Sequence, residues 1–254
     1  MKIVVPMNLV PDLVEELTID DNGTTLDMTW LRLTINEFDD HAIEQAILLK
    51  EINDGQVVVL APEVEGVDDI LFTATAKGAD QVIKLIGNFE EGANSHALAR
   101  AFSDVLKEMQ PDLVLTGVQA HDDQDGSVGP VLAEYLGMPY IGYVSGVDLQ
   151  NGKAIAKKEY PGGLIGEMEV TLPAVLGIQA AEQPPRYVAI SKVRQAMKTS
   201  SIEERVVGEL NQSGGPTITR MFQPEAGERA TMIEGDEEEI AAKLIEIFEE
   251  LGVL

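Results

Sequence analysis

The chain has 254 residues, enough for one large domain or for one domain with arms. Its 44 acidic residues against 18 Lys and Arg give a net charge of −26, which argues against a nucleic-acid or anionic-membrane partner. The charge predicts a soluble acidic protein, either from a salt-adapted proteome or with a basic partner. Cysteine is absent, which excludes disulfides, thiolate catalysis and Cys-ligated metal sites and fits a cytoplasmic location. No apolar run is long enough for a membrane span, so we expect no membrane insertion.

The first half of the chain alternates between apolar β-type runs and amphipathic helical patterns. The predicted strands cover residues 2–6, 56–61, 81–85 and 113–116, and the predicted helices begin at Asn36 and cover 68–77, 94–109 and about 127–135. The polar segment over 15–32 is expected to be a loop or a hairpin, with Asn22-Gly23 at its turn. Repeated β–α alternation predicts an α/β fold, with a mostly parallel sheet and helices on both faces.

The second half changes to β runs and then to a polar tail. Segments 141–149, 154–160, 166–172 and 174–178 are expected to be antiparallel strands that extend or flank the sheet, with a hairpin turn at Asn151-Gly152. A short basic helix is predicted over 190–198, an extended arm over 208–227, and a final amphipathic helix after the acidic run at 234–239. These patterns predict an α/β domain over 1–198 and a C-terminal arm with a helix over 199–254.

The loop between the fourth predicted strand and its helix, residues 117–129, is the candidate binding site. A strand, a glycine-containing turn and a helix N-terminus place unpaired backbone N–H groups around a concave surface that suits phosphate. In parallel sheets ligands bind beyond the carboxyl ends of the strands, where the loops after Val5, Leu60 and Thr116 converge. We therefore predict a nucleotide site at this edge.

Other residues near this loop leave alternatives open. Asn36 is a good helix N-cap, and Asp39 at the third helical position suggests a capping box. The three aspartates at 122, 123 and 125 could hold a divalent cation, but their spacing does not fit an EF-hand loop, and outward-facing side chains are the preferred interpretation. The sequence contains no nucleophile elbow, P-loop or G-x-G-x-x-G motif, which excludes the common hydrolase, ATPase and Rossmann classes.

Several short motifs follow one another along the chain in a characteristic order and spacing. They are Pro6 with Pro11-Asp12, residues 36–51, 73–80 and 117–129, Gly162-Gly163, residues 172–175 and residues 185–187. In this combination the chain resembles the β subunit of electron transfer flavoproteins over nearly its whole length. The resemblance implies an adenine nucleotide alpha hydrolase-like fold and a heterodimer with an α subunit. It also implies a flavin that carries electrons from an acyl-CoA or other dehydrogenase to a quinone reductase, ferredoxin or flavodoxin.

The resemblance further implies a nucleotide in this subunit, which is AMP in most members and a second FAD in the electron-bifurcating members that use NADH. The cofactor-binding residues it implies are Pro6, Asn36, Glu37, Phe38, Asp39, Pro62, Gly117, Gln119, His121, Asp122, Asp123, Gln124, Asp125, Gly126, Ser127, Val128 and Gly129. His121 is either a structural histidine or a donor to a flavin carbonyl.

The middle of the loop departs from the AMP-binding pattern. AMP-binding members hold the phosphate monoester with Asn, Gln and Thr, where this chain has Gly126, Ser127 and Val128. Val128 cannot donate a hydrogen bond, and the residues from Val128 to Pro130 are similar to those of bifurcating members. We therefore expect FAD in this subunit, with AMP as the alternative.

The resemblance also implies a partner-recognition loop at about 179–198 in which Pro185, Arg186 and Tyr187 contact the dehydrogenase. Glu182 occupies the place of an apolar anchor, which predicts a changed docking mode or a partner with a basic pocket. Leu13 is expected near the α-subunit flavin, and residues 199–254 are expected on the α subunit. The alternative is a nucleotide-binding regulatory module of the stress-protein type, which leaves the second half of the chain without an explanation.

Overall fold

The computed structural model describes residues 1–89, 92–123, 126–225, 227 and 230–253. The strands are β1 (Lys2–Pro6), β2 (Leu9–Pro11), β3 (Leu33–Ile35), β4 (Gln56–Pro62), β5 (Gln81–Ile86), β6 (Leu113–Gly117), β7 (Tyr140–Val144), β8 (Gly146–Gln150), β9 (Lys153–Tyr160), β10 (Leu164–Thr171), β11 (Ala174–Ile178) and β12 (Glu203–Val206). The helices are α1 (Glu37–Asn53), α2 (Val67–Lys77), α3 (Ser95–Met109), α4 (Val128–Leu136), α5 (Ile190–Thr199) and α6 (Glu237–Glu250). The chain divides into two compact units, residues 1–219 and residues 220–254.

Unit 1–219 is built on a parallel sheet of seven strands in the order β12-β5-β4-β1-β6-β11-β7. Its central strands β1, β4 and β6 are mostly apolar because both sheet faces are covered. Successive residues point to opposite faces, so Ile3 packs with α1 and α2 in one cluster and Val4 packs with α3 and α4 in the other. The two clusters fix where each strand ends, and thereby fix the edge at which the loops after β1 and β6 meet.

The predicted α/β class, with its mostly parallel sheet and antiparallel additions, is confirmed. The first-half strands and helices lie within a few residues of their predicted bounds. The excursion over 15–32 turns at Asn22-Gly23, where the Asn22 side chain bonds Asp20, Thr24 and Thr25. Its strand pairing is a single bridge between Ile19 and Leu26.

The predicted antiparallel role of two second-half segments was wrong. The single strand predicted over 141–149 is two strands, and β7 and β11 both run parallel within the main sheet. β7 ends where Tyr143 takes a φ of +58°, and β8 then pairs antiparallel with β9 in a separate three-stranded sheet with β10. The β-type pattern of residues 141–149 gives no sign of such a change of sheet.

β12 is a further strand that the sequence did not predict. It lies at the sheet edge, parallel to β5, within the segment expected to be the start of the C-terminal arm. Its residues are mostly charged, as is usual for an edge strand.

Unit 220–254 contains α6, which begins with a complete capping box between Asp236 and Glu239. Acidic residues fill its first turn, where the helix dipole favours negative charge. Within the described residues, no helix has both the length and the apolar character needed to cross a membrane.

Candidate functional site

A cavity of about 1170 Å³ lies at the carboxyl ends of β1 and β6. Ligand pockets commonly measure about 300–1,000 Å³, so this cavity can hold a large ligand. Its wall is formed by Pro6, Met7, Asn8, Thr24, Thr25, Asn36, Asp39, Asn88, Gly92, Ala93, Asn94, Ser95, Leu98, Phe102, Thr116, Gly117, Val118, Gln119, Ala120, Asp122, Asp123, Gly126, Val128, Glu209, Leu210, Gln212, Pro216, Thr217 and Ile218. The loops that follow β1 and β6 thus meet at this cavity, whereas the third predicted loop, after β4, contributes none of these wall residues.

Three glycines shape the loop between β6 and α4. A methyl group on Gly117 would lie 2.5 Å from Oδ1 of Asp39, and one on Gly129 would lie 2.9 Å from the Tyr140 ring. Gly126 has a φ of +62°, and a methyl group there would lie 2.6 Å from the carbonyl oxygen of Val118. The main chain therefore packs closely just before the first turn of α4. In that turn Pro130 has no N–H group and the Val131 N–H donates to the Ser127 carbonyl, which leaves the N–H groups of Val128 and Gly129 as the candidates to bind an anion.

The N-terminus of α1 connects two of the loops around the cavity. Oδ2 of Asp39 accepts the Asn8 N–H at 2.9 Å, and Oδ1 accepts the Gly117 N–H at 2.8 Å. The Asn36 side chain donates to the Gln119 carbonyl at 2.9 Å. The capping-box prediction was therefore wrong, because Asn36 occupies the N-cap position but caps no helical N–H with its side chain. Both side chains instead hold the loops that follow β1 and β6.

Burial dominates the electrostatics of this region. It raises the pKa of Asp39 to about 6, although the two backbone N–H donors act in the opposite direction. Burial also raises the pKa of Asp122, and the nearby His121 opposes that rise. A proton or an additional hydrogen-bond donor is thus more favourable here than at an exposed carboxylate.

The structure brings nine of the predicted cofactor-binding residues together on the cavity wall: Pro6, Asn36, Asp39, Gly117, Gln119, Asp122, Asp123, Gly126 and Val128. The other described ones, outside that wall, are Glu37, Phe38, Pro62, His121, Ser127 and Gly129. Nε2 of His121 is buried and has no hydrogen-bond partner among the described residues. The two remaining predicted residues, Gln124 and Asp125, lie outside the described part of the chain.

Segment 209–218 forms a wall that the sequence did not predict. Oε1 of Gln212 accepts the Asn94 N–H at 3.0 Å, and Nε2 of Gln212 donates to the Gly92 carbonyl at 2.8 Å. Arg100 donates to the Asn211 carbonyl at 2.6 Å. These bonds hold the segment against the N-terminus of α3 and close one side of the cavity. The polar, glycine-rich composition of the segment indicated an arm but not this position.

The predicted partner-recognition loop is held by α1 through ion pairs. Arg186 contacts Glu44 at 2.8 Å and Glu51 at 2.7 Å, and the Glu44 side chain is only 3% exposed. Glu182 pairs with Lys157 at 2.9 Å. The charges of Arg186 and Glu182 are therefore both compensated within the chain.

The other predicted partner-binding residues differ in exposure. Tyr187 is 88% exposed and Leu13 is 60% exposed, whereas Pro185 is half-buried. Among the described residues, no group of three or more His, Asp and Glu side chains could hold a metal ion.

A parallel sheet with helices on both faces and a large cavity beyond β1 and β6 define an α/β protein of the ligand-binding class. Residues 26–210 match the family model described as electron transfer flavoprotein domain. The chain is 35% identical to the electron transfer flavoprotein subunit beta of Methylophilus methylotrophus over 98% of each chain, and 30% identical to that of Thermoanaerobacterium thermosaccharolyticum over 97% of each. It is 35% identical to that of Syntrophomonas wolfei over 66% of each chain. The chain therefore belongs to the electron transfer flavoprotein family, among its β subunits.

Proposed function

We propose that this chain pairs with an α subunit and that the pair carries electrons from a dehydrogenase, or from NADH, to a downstream acceptor. The observation that supports this proposal is the cavity beyond β6, where Gly117 and Gly126 allow close approach of the main chain at the start of α4. Such an arrangement suits the phosphates of an adenine nucleotide. We expect the complex to work in the cytoplasm, in keeping with its cysteine-free sequence.

FAD is the preferred nucleotide for this cavity. Gly126 and Val128 line the cavity without a side-chain donor, so neither can donate a side-chain hydrogen bond to a terminal phosphate monoester. The wall at 209–218 extends the cavity beyond the loop of 117–129, which supports a dinucleotide. Bound flavin supplies the redox chemistry, and the chain holds it in place and excludes water.

Electron bifurcation is the more specific version of this proposal. A FAD in this subunit, in addition to a flavin in the α subunit, would allow the two electrons of NADH to be separated between two acceptors, such as a quinone reductase and a ferredoxin or flavodoxin. The alternative is a carrier without bifurcation that holds a structural AMP in the same cavity. A regulatory module that binds nucleotide without flavin is the least favoured form.

The dehydrogenase is proposed to dock beside α5. Segment 183–202 contains four Lys and Arg residues and no Asp or Glu, in a chain of net charge −26. Arg186 is paired internally, whereas no ion pair involves Lys192, Arg194 or Lys198 within the described residues. Lys157 already neutralises Glu182, so a basic pocket on the partner is not needed. The face that includes Tyr187 is therefore proposed to bind a partner with an acidic surface.

The test is to co-express this chain with its α subunit and to count flavin and AMP per heterodimer. Absorbance gives the flavin content, and mass spectrometry of the released nucleotides gives the AMP content. Two FAD per heterodimer would support bifurcation, and NADH oxidation would then be measured. One FAD with one AMP would support the simple carrier, and a complex without flavin would contradict both.

A matched pair of variants assigns the nucleotide to this cavity. Gly126→Val places a branched side chain against the Val118 carbonyl and is expected to remove one nucleotide from the count. Gly208→Ala meets no atom within 4 Å of its new methyl group and should leave the count unchanged. A full nucleotide count in Gly126→Val would show that the ligand binds elsewhere.

A further inference from the structure

The chain contains two Asn-Gly dipeptides, and both lie at turns. Asn22-Gly23 turns the segment over 15–32, and Asn151-Gly152 joins β8 to β9. Asparagine is a chemically labile residue, and a following glycine favours attack of its own nitrogen on the asparagine side chain because glycine has no Cβ to hinder the approach. The two sites share this dipeptide but differ in their hydrogen bonds, so the structure predicts different reactivities for them.

The Asn22 side chain is held at both of its polar atoms. Its Nδ2 donates to Oδ2 of Asp20 at 3.1 Å and to Oγ1 of Thr25 at 2.6 Å. Its Oδ1 accepts the N–H groups of Thr24 at 2.7 Å and Thr25 at 3.0 Å. The Gly23 N–H, which would supply the attacking nitrogen, donates to the Asp20 carbonyl at 2.8 Å. Both groups that would react are therefore held in place.

Asn151 has none of these restraints. Within the described residues, no hydrogen bond involves its side chain or the N–H group of Gly152. The two residues have φ values of +50° and +76° and form a two-residue hairpin turn closed by the pairing of Gln150 with Lys153. Both turn residues are exposed. The Asn151 side chain can therefore rotate towards the Gly152 nitrogen without losing a hydrogen bond.

We propose that Asn151-Gly152 is a site of spontaneous deamidation in the folded protein, and that the fold protects Asn22-Gly23 from the same reaction. The Gly152 nitrogen attacks Cγ of Asn151, and the side-chain amide takes up the proton of that nitrogen and leaves as ammonia. Water then opens the resulting succinimide at either of its carbonyl groups, which gives aspartate or isoaspartate. The net change replaces an NH2 group by an OH group, and water is the only co-reactant.

The two products differ in their effect on the hairpin. Aspartate keeps the main chain and tolerates a positive φ, so the turn persists. Isoaspartate carries the main chain through the former side-chain carbon and adds one methylene group to it. The length of a hairpin loop fixes the register of its strands, so isoaspartate disturbs the pairing of Gln150 with Lys153. Either product adds a carboxylate to a chain of net charge −26.

The test is to age the co-expressed heterodimer at mildly alkaline pH and to map its peptides by mass spectrometry. We expect the peptide with Asn151 to gain the mass of the amide-to-acid exchange and to become a substrate for isoaspartate methyltransferase. Because hydrogen bonds must break before Asn22 can react, its conversion should be at least about tenfold slower. Equal rates at the two sites, or no conversion at Asn151, would overturn the proposal.

An unfolded control separates the fold from the local sequence. In concentrated urea both dipeptides lose their native hydrogen bonds, and each asparagine is still followed by glycine. We therefore expect similar rates at Asn22 and Asn151 under these conditions. A ratio of rates that is the same in urea as in the folded heterodimer would mean that neighbouring residues cause the difference, which also overturns the proposal.

Two variants test the two halves of the proposal. Asn151→Gln should stop the conversion, since a glutamine must close a larger ring. Hydrogen exchange at the start of β9 should become faster as the wild type ages, but not as this variant ages. The double variant Asp20→Ala with Thr25→Val removes both acceptors of the Asn22 amide group and should accelerate conversion at Asn22 alone. An unchanged rate at Asn22 would show that these hydrogen bonds do not protect it.

Discussion

The loops that rest on the two ends of α1 are held by different chemistry. At the N-terminal end of α1, Asn36 and Asp39 hold the cavity loops through hydrogen bonds to the main chain. Further along the helix, Glu44 and Glu51 hold the recognition loop through ion pairs with Arg186. The cavity loops are thus held by contacts to the main chain, whereas the ion pairs fix a loop whose neighbour, Tyr187, is exposed. One helix therefore holds both the loops around the cavity and the loop that is proposed to contact a partner protein.

The largest effect is expected from breaking the ion pair in the recognition loop. Arg186→Met leaves the buried Glu44 carboxylate without its cation, and we expect the free energy of unfolding to fall by about 3 kcal/mol. Urea denaturation measures this change. Glu51→Gln is the matched control, because the Glu51 side chain is 53% exposed and its loss should cost less than about 1 kcal/mol. Equal effects of the two substitutions would contradict the dominant role of Glu44.

The next effect concerns the cavity loop. Gly117→Ala introduces a methyl group 2.5 Å from Oδ1 of Asp39 and must move the strand end or α1. We expect a loss of about 2 kcal/mol of stability, within the range for overpacking, and at least a tenfold loss of nucleotide affinity. Gly208→Ala should change the stability by less than about 0.5 kcal/mol, because its methyl group enters open space. Unchanged nucleotide affinity in Gly117→Ala would show that this glycine is not needed for nucleotide binding.

A third effect concerns pH and Asp39. Its pKa is raised from 3.8 to about 6 in the folded chain, so the folded state binds more protons between these values. The stability from this group is therefore fully present below about pH 3.8 and is lost as the pH rises through about 6. Between pH 5 and 7 we expect the wild type to lose about 1 kcal/mol relative to Asp39→Asn. Parallel stability curves for the two proteins would show that Asp39 titrates normally.

The smallest effect is expected at the wall of 209–218. Gln212→Ala removes the two side-chain hydrogen bonds to the Asn94 N–H and the Gly92 carbonyl. Because these bonds are partly exposed, the global stability should fall by no more than about 1 kcal/mol. Hydrogen exchange in 209–218 should become faster, while exchange in β6 should not change. Faster exchange in both regions would mean that the wall is coupled to the whole sheet.

The fold could be predicted from the sequence wherever burial imposed a pattern. The runs at 2–6, 56–61, 81–85 and 113–116 are mostly apolar because both sheet faces are covered, and they form β1, β4, β5 and β6. The assignment of β7 and β11 to the main sheet could not be predicted, since it depends on long-range pairing. β12 was missed because its charged residues carry no strand pattern.

The candidate site, like the fold, could be predicted where the local sequence pattern determines it and could not be predicted where it depends on contacts between distant segments. The glycines of 117–129 were predicted to form a phosphate-binding turn from the local sequence pattern, whereas Asn36 and Asp39 were predicted as site residues through the family resemblance. The direction of the Asp39 carboxylate, towards Asn8 and Gly117 rather than its own helix, depends on three segments meeting in space. Arg186 was predicted as a contact to another protein, whereas its ion-pair partners Glu44 and Glu51 lie on α1, far away in the sequence.

The wall at 209–218 also sets the order in which the cavity can be completed during synthesis. It follows β12, which joins the sheet edge beside β5 after every other strand of that sheet. A chain that leaves the ribosome N-terminus first presents β1, α1 and β6 long before this wall exists. The nascent chain can thus fold most of its sheet with an open cavity, and closure of this side of the cavity waits until segment 209–218 has been synthesised.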